Sequence, residues 1–237
     1  YVESNLVGAF NVMEIARALE VRHLLAASTS SVYGSNEIMP FVETERADHP
    51  LTLYAATKKA NEQMTHAYSH LWGIPTTMFR FFSVYGPWGR PDMALFKFAR
   101  GILEDRPIDV YNNGVMERDF TYIDDLVEAI ARLMAVVPQR GAPAAGVADS
   151  LSPVAPWRVV NIGRGQPVDL MAFIAEIEKA LGRRARFNFM PMQPGDVSRT
   201  FADASLLQAL TDYRPSTPVS VGVAAFCDWY KAYHGPV

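Results

Sequence analysis

Apolar positions recur along the chain in two spacings, which together predict helices that alternate with short strands. Helical spacing predicts helices over residues 5–20, 54–72, 94–104, 122–137, 169–181 and 219–233. Short apolar runs predict buried strands over residues 23–27, 76–82, 108–111 and 158–162. Strands that alternate with helices of this length indicate an α/β fold with a parallel sheet.

Turn and cap signals mark the ends of these elements. Asn5 is a good N-cap for the first helix, and Gly73 followed by Pro75 ends the second. The run Asn112-Asn113-Gly114 predicts a hairpin turn, because Asn-Gly favours the tight turns that join antiparallel strands. Residues 138–156 are rich in Pro, Gly and Ala and have little periodicity, which indicates a dispensable surface loop.

Composition narrows the class of protein. The 237 residues are 49% apolar and 20% charged, a composition that argues against a disordered chain. The net charge of −3 gives no excess of basic residues for binding nucleic acid. No apolar run reaches the roughly 18 residues of a membrane span. The single cysteine, Cys227, cannot form an intrachain disulfide, so we expect a reducing, cytoplasmic compartment.

Because residue 1 is Tyr and a helical pattern starts at Asn5, we expect further sequence upstream.

Tyr54 and Lys58 carry the first chemical signal. They lie four residues apart at the start of a predicted helix, so both side chains face the same way, one turn apart. A fixed ammonium group favours the phenolate and lowers the pKa of a phenol from its ordinary value of about 10. Such a phenol can act as a base toward a sugar or steroid hydroxyl. A Tyr that packs on a Lys stem is the alternative.

A polar cluster upstream strengthens the catalytic interpretation. The predicted strand 23–27 ends in Ser28-Thr29-Ser30-Ser31, and ligands on parallel sheets bind beyond the carboxyl ends of the strands. A hydroxyl in this cluster can bind the same substrate oxygen as Tyr54.

Several sequence blocks resemble one family. They are Ser28-Thr-Ser-Ser-Val-Tyr-Gly34, Tyr54-x-x-x-Lys58, Arg80-Phe-Phe-Ser-Val-Tyr-Gly-Pro87, Tyr85-Gly-Pro-Trp-Gly-Arg-Pro-Asp-Met93, Arg118-Asp-Phe-Thr-Tyr-Ile-Asp-Asp125 and Gln193-Pro-Gly-Asp196. Together they resemble the extended short-chain dehydrogenase/reductases that act on nucleotide sugars, and the UDP-glucuronate 4-epimerases most closely. The similarity covers essentially the whole chain in the family's order.

The resemblance implies a role for each matched residue. Tyr54 would be the base, Lys58 would lower its pKa and bind the nicotinamide ribose of NAD, and Thr29 would hold the 4-oxygen of the sugar. The cofactor would be lined by Asn5, Ala27, Tyr54, Lys58 and Phe81. The UDP-sugar would be bound by Ser30, Ser31, Ser83, Arg90, Arg118, Gln193 and Asp196. Gln193 stands where galactose epimerases carry an Arg.

The implied reaction is epimerisation of a UDP-hexuronate through a 4-keto sugar. A 4-keto uronate is a β-keto acid and loses CO₂ readily, so the carboxylate must be held out of line with the carbonyl. Ser30, Ser31 and Arg90 are candidates for that grip, since an arginine makes a two-pronged contact with a carboxylate. Related decarboxylases and dehydratases place a Glu where Ser31 stands. Another UDP-sugar epimerase, decarboxylase or dehydratase remains the alternative.

The resemblance also implies domains and a partner. Residues 1–84 and about 117–163 would form half of a Rossmann-like, doubly wound NAD domain, and about 85–116 and 164–237 a smaller α/β lobe for the nucleotide sugar. A homodimer would form through the helices at about 5–20 and 54–72. The glycine-rich turn that grips NAD in this family is absent here, so the 237 residues alone are expected to be inactive. A non-catalytic nucleotide-sugar-binding protein is the alternative.

Two further patterns are interpreted as structural. Gly163-Arg-Gly165 follows a strand as in a dinucleotide fingerprint, but Val168 occupies the position of the third glycine. Glu62, His66 and His70 share one helix face at a spacing that suits a metal, yet nothing else supports a ligand set, and we expect no metal.

Overall fold

The structure, a computed structural model, describes residues 1–235. Its helices are α1 (Gly8–Ala18), α2 (Leu53–Trp72), α3 (Ala94–Leu103), α4 (Ile123–Met134), α5 (Leu170–Leu181), α6 (Ser205–Thr211) and α7 (Val219–His234). Its strands are β1 (Leu24–Ala27), β2 (Thr76–Phe81), β3 (Ser83–Tyr85), β4 (Ile108–Val110), β5 (Glu117–Arg118), β6 (Phe120–Tyr122), β7 (Trp157–Ile162), β8 (Val168–Asp169), β9 (Phe187–Phe189) and β10 (Arg199–Thr200). A π-helix over Val2–Val7 leads into α1, and 3₁₀ turns cover Ser30–Tyr33 and Tyr111–Gly114.

The main sheet is parallel and has the order β1-β2-β7. Side chains alternate between its faces, as the pleat requires. Met78 and Val159 pack on the face that carries α2, whereas Phe79 and Val160 pack with α4 and α6 on the other. Helices on both faces of a parallel sheet make this the α/β architecture that the sequence predicted.

A second core forms the smaller lobe. It joins α3, α5 and α7 with β4 and β6, and its centre is the stacked pair Phe120–Phe173, whose ring centroids are 3.8 Å apart. Cys227 is fully buried in this core. Helix α6 packs with α4 and β7 instead, although the sequence assigned residues 164–237 as a whole to the lobe.

The predicted helices and strands are confirmed, with ends that differ by at most three residues. The sequence missed α6 and the short strands β3, β5, β6, β8, β9 and β10, which are too short for a clear period. The N-cap prediction for Asn5 is wrong, because Asn5 lies within the π-helix.

The hairpin predicted at residues 112–114 is also wrong. Asn112 and Asn113 do adopt the left-handed backbone that Asn-Gly favours, with φ of 51° and 50°. The strand before them, β4, nevertheless pairs in parallel with β9. The local turn signal is therefore correct, but a distant strand supplies the partner.

The segment 138–156 has no helix or strand, as predicted, but it is not a free excursion: Ala144 and Val147 in its first half pack against the core around α4. Asp149 forms a buried ion pair with Arg158 of β7 at 2.8 Å, and Ser152 contacts His66 of α2 at 2.8 Å. Ala155 is fully buried. These contacts fix the second half against α2 and the sheet, so the interpretation of the whole loop as dispensable is wrong.

Within residues 1–235, every helix is too short or too polar to cross a lipid bilayer.

Candidate functional site

Tyr54 and Lys58 lie in the first two turns of α2. The helix begins where Thr52 caps it: the Thr52 hydroxyl accepts a hydrogen bond from the N–H of Ala55 at 3.1 Å. Both side chains are half-buried. Burial lowers the pKa of the Lys58 ammonium, and the negative charge of Glu62 partly offsets this.

The start of α2 is held by the preceding π-helix. The Asn5 amide donates to the Thr57 hydroxyl at 3.0 Å, and that hydroxyl donates to the carbonyl of Tyr54 at 2.9 Å. The Tyr54 ring also contacts the ring of Tyr1, with centroids 5.7 Å apart. Asn5 therefore supports the backbone that carries Tyr54. Its direct role toward a cofactor stays a prediction.

Thr29 lies at the carboxyl end of the main sheet. It follows β1 in an extended conformation, and its hydroxyl accepts from the N–H of Ser31 at 3.2 Å, which caps the 3₁₀ turn Ser30–Tyr33. This turn packs against α2. Ala27, the last residue of β1, is exposed, and Phe81, the last residue of β2, is half-buried. The predicted catalytic and cofactor residues thus come from neighbouring elements at one edge of the sheet.

An open cavity of about 260 Å³ lies in the smaller lobe. Its walls are mainly apolar and include Phe98, Phe120 and Phe226. The predicted substrate residues among its lining are Ser83, Arg90, Arg118 and Asp196. A mostly apolar pocket with a few converging polar groups is the usual form of a small-molecule site.

Arg118 and Asp196 form an ion pair at the edge of this cavity. Arg118 Nη2 donates to Asp196 Oδ1 at 2.7 Å, and Arg118 Nη1 donates to the carbonyl of Ser198 at 3.2 Å. Burial lowers the pKa of Arg118, and Asp196 partly offsets this. The pair places a half-buried cation and an exposed carboxylate side by side at the cavity, and their roles toward a ligand stay predictions.

Arg90 lies at the mouth of the cavity. Its guanidinium makes a two-pronged contact with Asp92, with Nε 3.0 Å from Oδ1. The pKa of Arg90 is raised, chiefly by Asp92 and to a smaller extent by the phenols of Tyr54 and Tyr1. Arg90 therefore presents a positive charge at the mouth of the cavity.

Asp119 fills the loop that imitates a dinucleotide fingerprint. Its fully buried carboxylate accepts from the N–H groups of Arg164 and Gly165 at 2.9 Å and of Ala202 at 3.1 Å. A Cβ on Gly163 would lie 2.7 Å from Asp119 Oδ2. An internal carboxylate occupies the backbone donors that a pyrophosphate would need, which agrees with the structural interpretation of this loop.

The histidines of α2 have protein partners. His66 contacts the hydroxyl of Ser152, and His70 contacts the carbonyl of Val154 at 2.9 Å. Glu62 is buried and bound by Arg80. The part of the chain that the structure describes contains no group of three or more residues arranged to hold a metal ion.

Thr29, Ser30, Ser31, Tyr54 and Lys58 do not line the cavity of the lobe, and Gln193 lies on an exposed segment. Sequence reasoning also missed Asp119 and Glu62 as buried carboxylates that each accept several hydrogen bonds. An arginine within an apolar strand, as Arg80 is, signals a buried acidic partner, and this signal would have pointed to Glu62.

Comparison with known proteins agrees with this geometry. The family model described as "NAD dependent epimerase/dehydratase family" matches residues 1–144. A relative from Rhizobium meliloti (strain 1021), "Probable UDP-glucuronate 4-epimerase", is 60% identical over 97% of this chain and 68% of its own length. The chain belongs to the NAD dependent epimerase/dehydratase family.

Other members of this epimerase/dehydratase family are similar over nearly all of the chain. UDP-glucuronate 4-epimerase 1 of Arabidopsis thaliana is 42% identical over 99% of this chain and 55% of its own length. The crystal structure of UDP-glucuronic acid 4-epimerase from Bacillus cereus in complex with UDP-glucuronic acid and NAD superposes with a TM-score of 0.84 at 30% identity, covering 98% of this chain and 69% of that one. The Rossmann-like fold of the family is thereby confirmed.

Proposed function

We propose that the protein interconverts UDP-glucuronate and UDP-galacturonate by NAD-dependent epimerisation at C4. The single observation that supports this best is the placement of Tyr54 and Lys58, in the first two turns of α2, on a helix that packs against the 3₁₀ turn directly after Thr29. Arg90 and the Arg118–Asp196 ion pair line the cavity of the smaller lobe, which offers a place for the charged parts of the substrate. Similarity to the UDP-glucuronate 4-epimerases of R. meliloti, A. thaliana and B. cereus supports the same substrate.

The residues present suit the nicotinamide end of NAD. Lys58 is half-buried, and its ammonium makes no hydrogen bond or ion pair with any of residues 1–235, so it can donate to ribose hydroxyls. When bound, NAD would accept a hydride from C4 of the sugar and return it. Lys58, Ala27 and Phe81 at the edge of the sheet would hold the cofactor.

In this proposal the chain's own groups move the proton and hold the substrate. Tyr54 takes the proton of the 4-hydroxyl, while Thr29 hydrogen-bonds the same oxygen and Lys58 stabilises the phenolate. Ser83, Arg118, Gln193 and Asp196 would bind the UDP portion firmly, which would leave the sugar itself free to turn.

The uronate carboxylate is assigned to Arg90, Ser30 and Ser31. Arg90 already holds a carboxylate, that of Asp92, with the two-pronged geometry that a uronate would use. Ser31 is exposed next to Thr29 and carries no acidic group for proton removal at C5. Both features support an epimerase over a decarboxylase or dehydratase.

The deciding experiment offers UDP-glucuronate and NAD to the protein in the length that its gene encodes, and separates the products by chromatography. We expect UDP-galacturonate, and we expect Tyr54→Phe and Lys58→Met to abolish its formation. Tyr68→Phe, the same change later on α2, is the control and should remain active. UDP-xylose as the main product would identify a decarboxylase instead.

We also propose that the 237 residues alone are inactive. The Asp119 carboxylate occupies the backbone N–H groups of the Gly163–Gly165 loop, so this loop offers no site for the pyrophosphate of NAD. Parallel assays of the 237-residue chain and of the protein in its encoded length test this. Turnover by the 237 residues alone would contradict it.

A second copy of the chain is the partner that we propose for α1 and α2. Val12, Ile15 and Leu19 form one exposed apolar face of α1, with Ile15 58% and Leu19 70% exposed, and Leu71 and Trp72 are exposed at the end of α2. A surface of this kind is typical of a protein interface. Sedimentation velocity should give a dimer for the unmodified protein and a monomer for Ile15→Asp. A monomer in both would refute the proposal.

A further inference from the structure

A buried ionic network lies between α2 and the main sheet, and the mechanism above does not use it. Its centre is the carboxylate of Glu62, which is fully buried. Oε1 accepts from the Ser28 hydroxyl at 2.6 Å and from Arg80 Nε at 2.9 Å. Oε2 accepts from Arg80 Nη2 at 2.9 Å and from Lys59 Nζ at 3.1 Å. Each oxygen thus has two donors, the condition under which a buried charge is tolerated.

These donors connect the elements that carry the catalytic residues. Ser28 directly follows β1 and directly precedes Thr29, and its N–H donates to the carbonyl of Phe79 at 2.6 Å. Arg80 follows Phe79 in β2, and its side chain lies on the face of the sheet that packs against α2. Glu62 therefore joins the end of β1 and the end of β2 to a single point on the helix.

The Glu62 carboxylate lies on the same face of α2 as Tyr54 and Lys58. Lys58 lies four residues before Glu62 and Tyr54 eight residues before it, so all three project from one side of the helix. Although burial alone would raise the pKa of Glu62, Arg80, Lys59 and Ser28 together lower it, so the group is an anion at neutral pH. This anion is the charge that partly offsets the effect of burial on Lys58.

We propose that Glu62 is a positioning residue, whose carboxylate fixes the helix that carries Tyr54 and Lys58 at a set distance from the strand end that carries Thr29. This inference rests on the proposed function for the identity of the reaction. It assigns Glu62 and Ser28 no contact with the substrate. Their effect is on the alignment of the three reacting side chains and on the charge of Lys58.

The other charges around the network do not replace Glu62. Arg80 Nη1 donates to the backbone carbonyl of Glu43 at 3.5 Å, while the Glu43 carboxylate accepts from the N–H of Asn161 at 2.8 Å. Lys59 is half-buried and reaches only Oε2 of Glu62. Within residues 1–235, Glu62 is the carboxylate that forms an ion pair with Arg80.

The test compares two buried serines. Ser28→Ala removes the link between Glu62 and β1 but leaves the ion pair with Arg80 intact. Ser69→Ala is the matched control: Ser69 is fully buried on α2, and its hydroxyl has no hydrogen-bond partner among the described residues. We expect kcat to fall about tenfold or more in Ser28→Ala, since small misplacements of reacting groups cost that much, with the Kd for UDP unchanged. Ser69→Ala should match the unmodified protein.

A second variant tests the charge. Glu62→Gln keeps the shape of the side chain and removes its charge, so the pKa of Lys58 should fall further. The alkaline limb of the pH–kcat profile should then move to lower pH, whereas in Ser28→Ala it should stay in place. Competitive acetylation of Lys58 across pH, followed by mass spectrometry, measures the same pKa without turnover.

The outcomes separate the two proposals. If the unmodified protein epimerises no nucleotide sugar, the proposed function fails, and the acetylation of Lys58 still tests the link to Glu62. Equal kcat values for Ser28→Ala and Ser69→Ala, or an equal loss of UDP binding and kcat in Ser28→Ala, would overturn the positioning role. An unchanged pKa of Lys58 in Glu62→Gln would overturn the electrostatic part. If Glu62→Gln does not fold, Ser28→Ala decides.

Discussion

Arg118 and Asp196 are 78 residues apart in the chain, and their side chains are joined by a 2.7 Å ion pair at the edge of the lobe cavity. Strand β10, which follows Asp196, pairs in parallel with β5, which contains Arg118, and so holds the two residues together. The pairing of the two strands therefore brings the two side chains within hydrogen-bond distance of each other.

The first prediction concerns this pair. Arg118→Met should weaken UDP binding by about 10- to 100-fold, because a charge-assisted hydrogen bond contributes about 1.5–3 kcal/mol. Isothermal titration calorimetry with UDP measures the change. Arg184→Met is a suitable control, since Arg184 forms an exposed ion pair with Glu178 and does not line the cavity. Equal affinities for the two variants would remove Arg118 from the phosphate site.

The second prediction concerns the choice between a uronate and a neutral sugar. Arg90→Met should lower kcat/KM for UDP-glucuronate by about 10- to 100-fold and change kcat/KM for a neutral UDP-hexose little, because only the uronate has a carboxylate for Arg90. Steady-state kinetics on both substrates give the ratio. An equal loss on both would mean that Arg90 does not contact the carboxylate.

The third prediction is a pH dependence of stability. Burial raises the pKa of Glu43 from its ordinary 4.5 to about 7. The folded protein then binds a proton more tightly than the unfolded chain does, so the free energy of unfolding falls as pH rises from about 4.5 to 7. The difference in pKa corresponds to about 3 kcal/mol.

Glu43→Gln should remove this fall, because the amide oxygen can still accept from the N–H of Asn161 and carries no charge. Urea denaturation should find the variant more stable than the unmodified protein at pH 8 and similar to it below pH 4.5. Glu37→Gln, at an exposed position, should retain the pH dependence. A parallel fall in both variants would assign the effect to another group.

The fourth prediction concerns the loop around Asp119. Gly163→Ala places a Cβ 2.7 Å from Asp119 Oδ2 and 2.7 Å from the Cβ of Ala202, within a buried contact. We expect the free energy of unfolding to fall by about 1–3 kcal/mol, as in other overpacked cores, in chemical denaturation. At Gly8 in α1 the nearest atom would be 3.5 Å away, so Gly8→Ala should not destabilise the protein.

The sequence predicts the long elements well and the contacts between distant elements poorly. The sequence period of α2 is clear, and the spacing of Tyr54 and Lys58 alone places both side chains on one face of this helix. The partner of β4 does not follow from local signals. The Asn-Gly sequence fixes only the backbone of the turn, whereas the partner strand β9 lies 79 residues further along the chain. Local residue preferences predict the backbone conformation of a turn, whereas tertiary packing determines which strand pairs with the strand before it.

Buried polar groups were the harder part of the site. Glu62, His66 and His70 have the helical spacing of a metal site. The same spacing also allows Glu62 to face Arg80 and the two histidines to face the 138–156 segment. What distinguishes the two is the identity of the groups opposite, and those lie on β1, β2 and the 138–156 segment. The predicted cavity residues Arg90, Arg118 and Asp196 were found through family motifs, because no local pattern joins them.

The burial of the one cysteine has a practical consequence. Cys227 is fully enclosed in the lobe, and burial raises the pKa of its thiol to about 11, so it is a poor nucleophile at neutral pH. Within the 237 residues, a cysteine introduced at exposed Ala145 would then be the one thiol open to maleimide dyes. These 237 residues thus allow a fluorophore to be attached at a chosen place without first deleting a competing sulfhydryl.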